Sequence, residues 1–133
     1  MTHLLDTNAW LRLVAKPEEL NSETHALLGR PGILPFALSA ISVWEITLKA
    51  RKRRLDLLPT LDRWLQSSLN SRLVTVIPVN AEIATLSNSL PEPFHDDPAD
   101  RLITATAKSR DLIVITSDEK TLRYSHVQSF DTR

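Results

Sequence analysis

The chain reads as an α/β domain with a small, mainly parallel sheet flanked by helices, and three observations predict it. Short apolar, strand-like runs alternate with segments of helical period along the whole length. Cap and turn residues punctuate the boundaries between them. Acids close two of the apolar runs: Asp6 follows Leu4-Leu5, and Asp118 follows Leu112-Ile113-Val114-Ile115-Thr116. In open parallel sheets, ligands bind beyond the carboxyl ends of the strands, so these acids stand where a site is expected.

The elements follow in order. Leu4-Leu5 is a short buried strand, and residues 9–15, with Trp10, Leu11, Leu13 and Val14, form a first helix that Asn8 is placed to cap and that stops before Pro17. Residues 18–28 form a second helical stretch, ended by Gly29 and the Pro31-Gly32 turn. A brief strand over residues 37–39 precedes a helix from about Ser42. Thr60 heralds a helix with the period of Leu61, Trp64, Leu65 and Leu69, and residues 73–77 read as a strand stopped by Pro78. Asn80 caps residues 81–89. Asp97-Pro98 opens a helix reaching Ser109, with Asp100 at its third position. The strand over 112–116 looks central; residues 119–124 form a short helix and 127–130 an edge strand.

One domain spanning residues 1–133 accommodates these elements, and a chain of that size buries roughly two-thirds of its extended surface. With 42% apolar and 24% charged residues it is globular rather than disordered. The longest weakly polar run, residues 33–44, contains Pro35 and falls short of the roughly 20 residues a membrane helix needs. Asp6 enters too early, after no basic segment, for a signal peptide, and there is no cysteine; the expected location is cytoplasmic.

Four acids stand out. Glu45 interrupts an apolar stretch of Ile41, Val43, Trp44, Ile46 and Leu48, where an acid seldom sits without a partner. Asp6, Asp100 and Asp118 fall at helix starts or strand ends. Each has an ordinary alternative: Glu45 a salt bridge to Lys49, Asp100 a capping box around Asp97, Asp6 and Asp118 helix caps. Together they imply one hard-cation site at the sheet edge. Formal net charge is zero, but with these four set aside sixteen basic residues face twelve acidic ones. The densest cluster is Lys49-Ala50-Arg51-Lys52-Arg53-Arg54; on helix geometry Lys49, Lys52 and Arg53 share the face of Glu45. That cluster is either a basic groove beside the acids or a solvated helix end.

These residues carry a family resemblance. Leu4-Leu5-Asp6-Thr7-Asn8-Ala9-Trp10, Ser42-Val43-Trp44-Glu45, Asp97-Pro98-Ala99-Asp100-Arg101-Leu102-Ile103 and Thr116-Ser117-Asp118 resemble, in order and spacing, the acidic motifs of PIN-domain ribonucleases. The likeness runs from Leu4 to about Val127, and the short form is similar to the VapC toxins of toxin-antitoxin modules. Arg53 departs from the pattern, since glycine is frequent there. The resemblance implies a PIN-like three-layer sandwich, a magnesium- or manganese-dependent endoribonuclease, inhibition by a cognate antitoxin protein, and homodimerisation.

The chemistry expected of such a site follows from charge. Clustered carboxylates repel, and a divalent ion, one or two, offsets that repulsion while keeping waters to deliver to a phosphodiester of the RNA substrate. Asp6 and Asp100 are the principal ligand candidates. Glu45 and Asp118 complete the shell, partly through water, and one accepts a proton. Thr7, Asn8 and Thr116 are candidates to orient the acids, with turn and cap chemistry as the alternative. Lys49, Lys52, Arg53 and Arg101 are candidates to hold phosphates without reading sequence.

Other chemistries lack their signatures. Glycine occurs only at positions 29 and 32, so no phosphate-cradling loop exists. His3, His25, His95 and His126 show no metal-ligand spacing and read mostly as surface residues. No serine has a nucleophile-elbow context, and Asn8 stands where a phosphatase would pair a second aspartate with Asp6. Trp10, Trp44 and Trp64 read as core or dimer-interface residues. The remaining alternative class is a non-catalytic PIN-fold module that binds RNA or protein.

Overall fold

The strands β1 (His3–Leu5), β2 (Phe36–Ser39), β3 (Val74–Ile77), β4 (Ile113–Thr116) and β5 (Ser129–Asp131) form one sheet in the order β3-β2-β1-β4-β5. The structure is a computed structural model, and it describes residues 1–70 and 72–133. Every pairing is parallel: Leu4 lies opposite Ala37 and Val114, Leu38 opposite Val76, and Ile115 opposite Phe130. Parallel strands need crossovers, which the helices provide.

Those helices are α1 (Thr7–Ala15), α2 (Ser22–Leu28), α3 (Ala40–Arg51), α4 (Leu61–Ser68), α5 (Ala81–Ser87), α6 (Pro98–Arg110) and α7 (Glu119–Arg123). Each starts behind a side chain that accepts a hydrogen bond from the first turn: Asp6, Asn21, Ser39, Thr60, Asn80, Asp97 and Asp118 in order. Such caps contribute about 1 kcal/mol apiece.

Side-chain alternation along the strands separates two cores. Leu4, Ala37, Ile77 and Val114 face a layer containing Ile83, Leu90, Phe94, Ile103, Ala105 and Ala107, built from α5, α6 and the loop between them. Leu5, Phe36, Leu38 and Ile115 face the opposite layer with Ala9, Trp10, Leu27, Ile46 and Trp64. The result is the three-layer sandwich that the period-two strands require. Helix α3 belongs to both layers, Ile41 packing on the first cluster and Ile46 inside the second. It therefore lies across the end of the sheet.

Some boundaries differ from expectation. Asp6, not Asn8, caps α1; Asn8 sits exposed in its first turn. The stretch expected over 18–28 divides into a 3₁₀ turn (Pro17–Glu19) and α2, because Asn21 takes an extended backbone and caps the second piece. Helix α3 starts two residues early, behind Ser39. The helix after Asn80 stops at Ser87, and the last strand is shifted to Ser129–Asp131, at the sheet edge as its sequence implied. The central strand is β1, and β4 is its neighbour. Among the described residues, no helix is long and apolar enough to cross a membrane.

Candidate active site

The chain leaves β1 toward β2 on one side, and the later strands β4 and β5 add on the other. The switch point thus lies between the carboxyl ends of β1 and β4, where such sheets leave a crevice. Asp6 is the first residue past β1, and its N–H donates to the Ile115 carbonyl at 3.1 Å, which fixes it against β4. Its Oδ1 accepts from Ala9 N at 2.8 Å as the α1 cap, and its Oδ2 accepts from the Thr116 hydroxyl. Burial pushes the Asp6 carboxyl above its ordinary range, and the charge of Asp118 adds to that, against the lowering by Thr116, Ala9 and Arg12.

Thr116, fully buried at the end of β4, serves two acids. Its hydroxyl donates to Asp6 and accepts from Asp118 N at 2.9 Å. Asp118 in turn caps α7, its Oδ2 accepting from Thr121 N at 3.0 Å and from the Thr121 hydroxyl at 2.9 Å. A parallel arrangement holds Glu45. Thr7 Oγ1 lies 2.5 Å from Glu45 Oε1 and pairs with Ser42 Oγ at 2.9 Å. A hydroxyl has one proton, so Thr7 donates it to the carboxylate and is left to accept from Ser42.

Asp100 completes the set from the first turn of α6, where its N–H donates to Asp97 Oδ1 at 2.9 Å. Its carboxyl is pushed up to about 7, first by burial and then by the charges of Asp97, Asp118, Glu45 and Asp6. Asp100 thus lies within the field of the other three candidate acids. They line a cleft of about 90 Å³ together with Thr7, Asn8 and Lys49. A larger hollow of about 690 Å³ opens at the opposite end of the sheet, lined by residues such as Thr2, Arg30 and Gln128, but it gathers no acids. Chemistry, not size, distinguishes the smaller cleft.

The basic candidates part company. Lys49 lines the cleft. Helix α3 ends at Arg51, so Lys52 is its C-terminal cap and Arg53 lies beyond it with φ 57°, outside the regular helix that carries Glu45. The run of charged side chains gave no sign of that stop, although Arg53 takes a backbone region that favours glycine. Arg101 is turned toward the protein's own carbonyls. It is buried, and its guanidinium donates to the carbonyls of Ser87 at 2.7 Å, Phe94 at 3.0 Å and His95 at 3.1 Å. Of the tryptophans, Trp10 and Trp64 pack edge to face at 5.0 Å in the core, whereas Trp44 is 56% exposed.

Two residues enter the site unannounced. Arg12 donates to Ser117 Oγ at 2.6 Å, and its charge reaches Asp6. His95, expected at the surface, is half-buried with Nε2 3.2 Å from Asp100 Oδ2. One ligand atom each from His95, Asp100 and Asp118 lie within 4.8 Å of one another. Nothing in the spacing of the 95–100 loop announces this, because the histidine and the acids meet only through the turn into α6.

Comparison with known proteins agrees with this architecture. A family model described as "PIN domain" matches residues 3–127. Ribonuclease VapC22 of Mycobacterium tuberculosis is 30% identical over 125 residues, 94% of this chain and 93% of that protein. Among solved structures, VapBC2 from Rickettsia felis bound to a promoter DNA fragment has a TM-score of 0.70 at 19% identity, covering 98% of each chain. FitAcB from Neisseria gonorrhoeae has a TM-score of 0.67 at 25% identity, again over 98% of each. With the acids at the switch point of a five-stranded parallel sheet and a family match over nearly its whole length, the chain belongs to the PIN domain family.

Proposed function

We propose that the chain is a metal-dependent endoribonuclease that hydrolyses RNA phosphodiester bonds as the toxin half of a toxin-antitoxin module in the cytoplasm. The observation that carries the reading is the convergence of Asp6, Glu45, Asp100 and Asp118 on one cleft in which Lys49 is the one cationic side chain among the described lining residues. Four carboxylates against one ammonium leave a charge deficit that suits a hard divalent cation, and the all-oxygen set from these acids suits magnesium or manganese. The relative named as a ribonuclease supports the substrate class.

When bound, one or two such ions would supply positive charge to the phosphate and an activated water. The chain's own residues do the rest. Asp6 and Asp100 would hold the cation, with Glu45 and Asp118 completing its shell. Either of these two accepts a proton from the water that attacks phosphorus as the P–O bond to the leaving oxygen breaks. Thr7 and Thr116 hold Glu45 and Asp6 in register by the hydrogen bonds described above. Asn8, exposed at the cleft, offers an amide to the RNA, and Lys49 holds a phosphate.

The solved neighbours of this fold include one named as a toxin-antitoxin complex, which supports a small antitoxin protein as partner; pairing with a second copy of the chain belongs to the same proposal. A module that binds without cutting has no need of four acids gathered in one cleft. The test is cleavage of RNA by the purified protein. Magnesium or manganese should support it, chelator should stop it, and Asp6→Asn or Asp100→Asn should each lower it by about 100-fold or more. Cleavage that persists in chelator would sink the mechanism. Growth arrest on expression, relieved by the product of the adjacent small open reading frame, tests the toxin role.

A further inference from the structure

The half-buried His95 has more support than a loop residue needs. Arg101 donates to its carbonyl at 3.1 Å and to that of Phe94 at 3.0 Å. The Phe94 ring packs on the His95 imidazole at 4.6 Å and on the Tyr124 ring at 4.5 Å, while the Tyr124 hydroxyl donates to the Pro91 carbonyl at 2.6 Å. Backbone and ring are thus both fixed, and they aim Nε2 at the acids. Nε2 is buried and makes no hydrogen bond, although Asp100 Oδ2 stands 3.2 Å away. A buried ring nitrogen without a partner is unusual and calls for a reason.

We propose that His95 Nε2 is a nitrogen ligand to a divalent cation shared with Asp100 and Asp118, so that the site takes a first-row transition ion such as manganese in preference to magnesium. The ligand atoms of the three side chains already lie within 4.8 Å of one another. Ligands of one ion at about 2.1 Å each lie at most roughly 4.2 Å apart, so modest side-chain adjustment closes the set. Imidazole adds little for magnesium, which prefers oxygen and water, and it adds more for manganese and the later metals. The metal preference then comes from a residue outside the acidic quartet.

This inference rests on the metal-site reading above, and its test separates the two. Manganese is bound to the purified full chain without RNA and examined by pulsed electron paramagnetic resonance for the modulation of a coordinated imidazole nitrogen. The wild type and His25→Gln, an exposed histidine as control, should show it. In His95→Gln it should vanish, with manganese affinity lowered by about tenfold or more and magnesium affinity lowered less. Wild-type protein carrying ¹⁵N-imidazole histidine shows that the nitrogen is a histidine's, since the modulation should change isotope, and His95→Gln assigns it.

Manganese bound with no nitrogen modulation in the wild type, or modulation that survives His95→Gln, overturns ligation. A loss of affinity in His95→Gln without nitrogen modulation in the wild type also overturns it, leaving His95 as a residue that orients Asp100. No manganese binding at all would defeat the metal-site reading itself.

Discussion

Thr116 is the residue on which the site turns, because one buried hydroxyl answers both the Asp6 carboxylate and the Asp118 amide. Thr116→Val keeps the shape and removes both bonds. We expect a loss of roughly 1–3 kcal/mol in urea unfolding, from the buried amide left without a partner. RNA cleavage should fall about 10–100-fold at saturating metal, and Thr116→Ser should restore most of both. If cleavage is unchanged in the valine variant, Asp6 does not need this hydrogen bond. At this scale Glu45 was legible because it broke an apolar stretch, and Thr7 and Thr116, candidates to orient the acids, do bond Glu45 and Asp6. The sequence misplaced His95, read as a surface residue, and was silent on Arg12; the partners of both are brought to them by turns and crossovers rather than by any spacing along the chain.

Between residues and the whole, the loop from Pro91 to Asp97 shows what a helix can do for a site. Arg101, on the buried side of α6, is spent on three carbonyls of that loop and of the end of α5, so the charge that sequence alone assigned to phosphate instead fixes the approach to Asp100. Arg101→Met should lower stability by roughly 2–4 kcal/mol, since buried acceptors lose charged donors. It should leave unchanged the salt dependence of RNA binding by the folded fraction, whereas Lys49→Met should flatten it. An arginine in a run beginning Asp97-Pro98 reads as an exposed helix residue from composition alone; only the packing of α5 on α6 buries it. Helix starts were more legible than helix ends. Caps are written in single side chains such as Thr60, Asn80 and Asp97, whereas α3 stops at Arg51 inside an unbroken basic run.

For the whole molecule, the alternation of apolar runs and helical periods was enough to read a parallel sheet between helices. The strand order was not legible, because the short strands β1, β2 and β4 are buried on both faces and carry no polar side that would distinguish centre from flank. The charge stored at the switch point has a thermodynamic signature. Asp100 holds its proton to about pH 7 in the folded chain, whereas an unfolded aspartate loses it near 4. Across that window the folded state binds more protons, so stability in chelator should fall as pH rises from about 4 to 7 and level off above. The shift of Asp6 acts in the same direction. The urea midpoint should therefore be higher at pH 5 than at pH 8 in chelator, and millimolar manganese should shrink the difference. A midpoint that rises with pH across this window would contradict the crowding of acids.

Asp6 and Asp118 each end their strand and begin a helix, with the same carboxylate accepting the first-turn amide and facing the cleft. Sequence drift at these positions is thereby constrained twice. Asparagine, serine or threonine would still start the helix, but alanine or leucine would fray it. A descendant that lost its chemistry would be expected to retain an oxygen-bearing side chain at both places, so an inactive homologue would still look capped and folded. The stability of variants at Asp6 and Asp118 is consequently a poor guide to their activity, and asparagine is the substitution that separates the two.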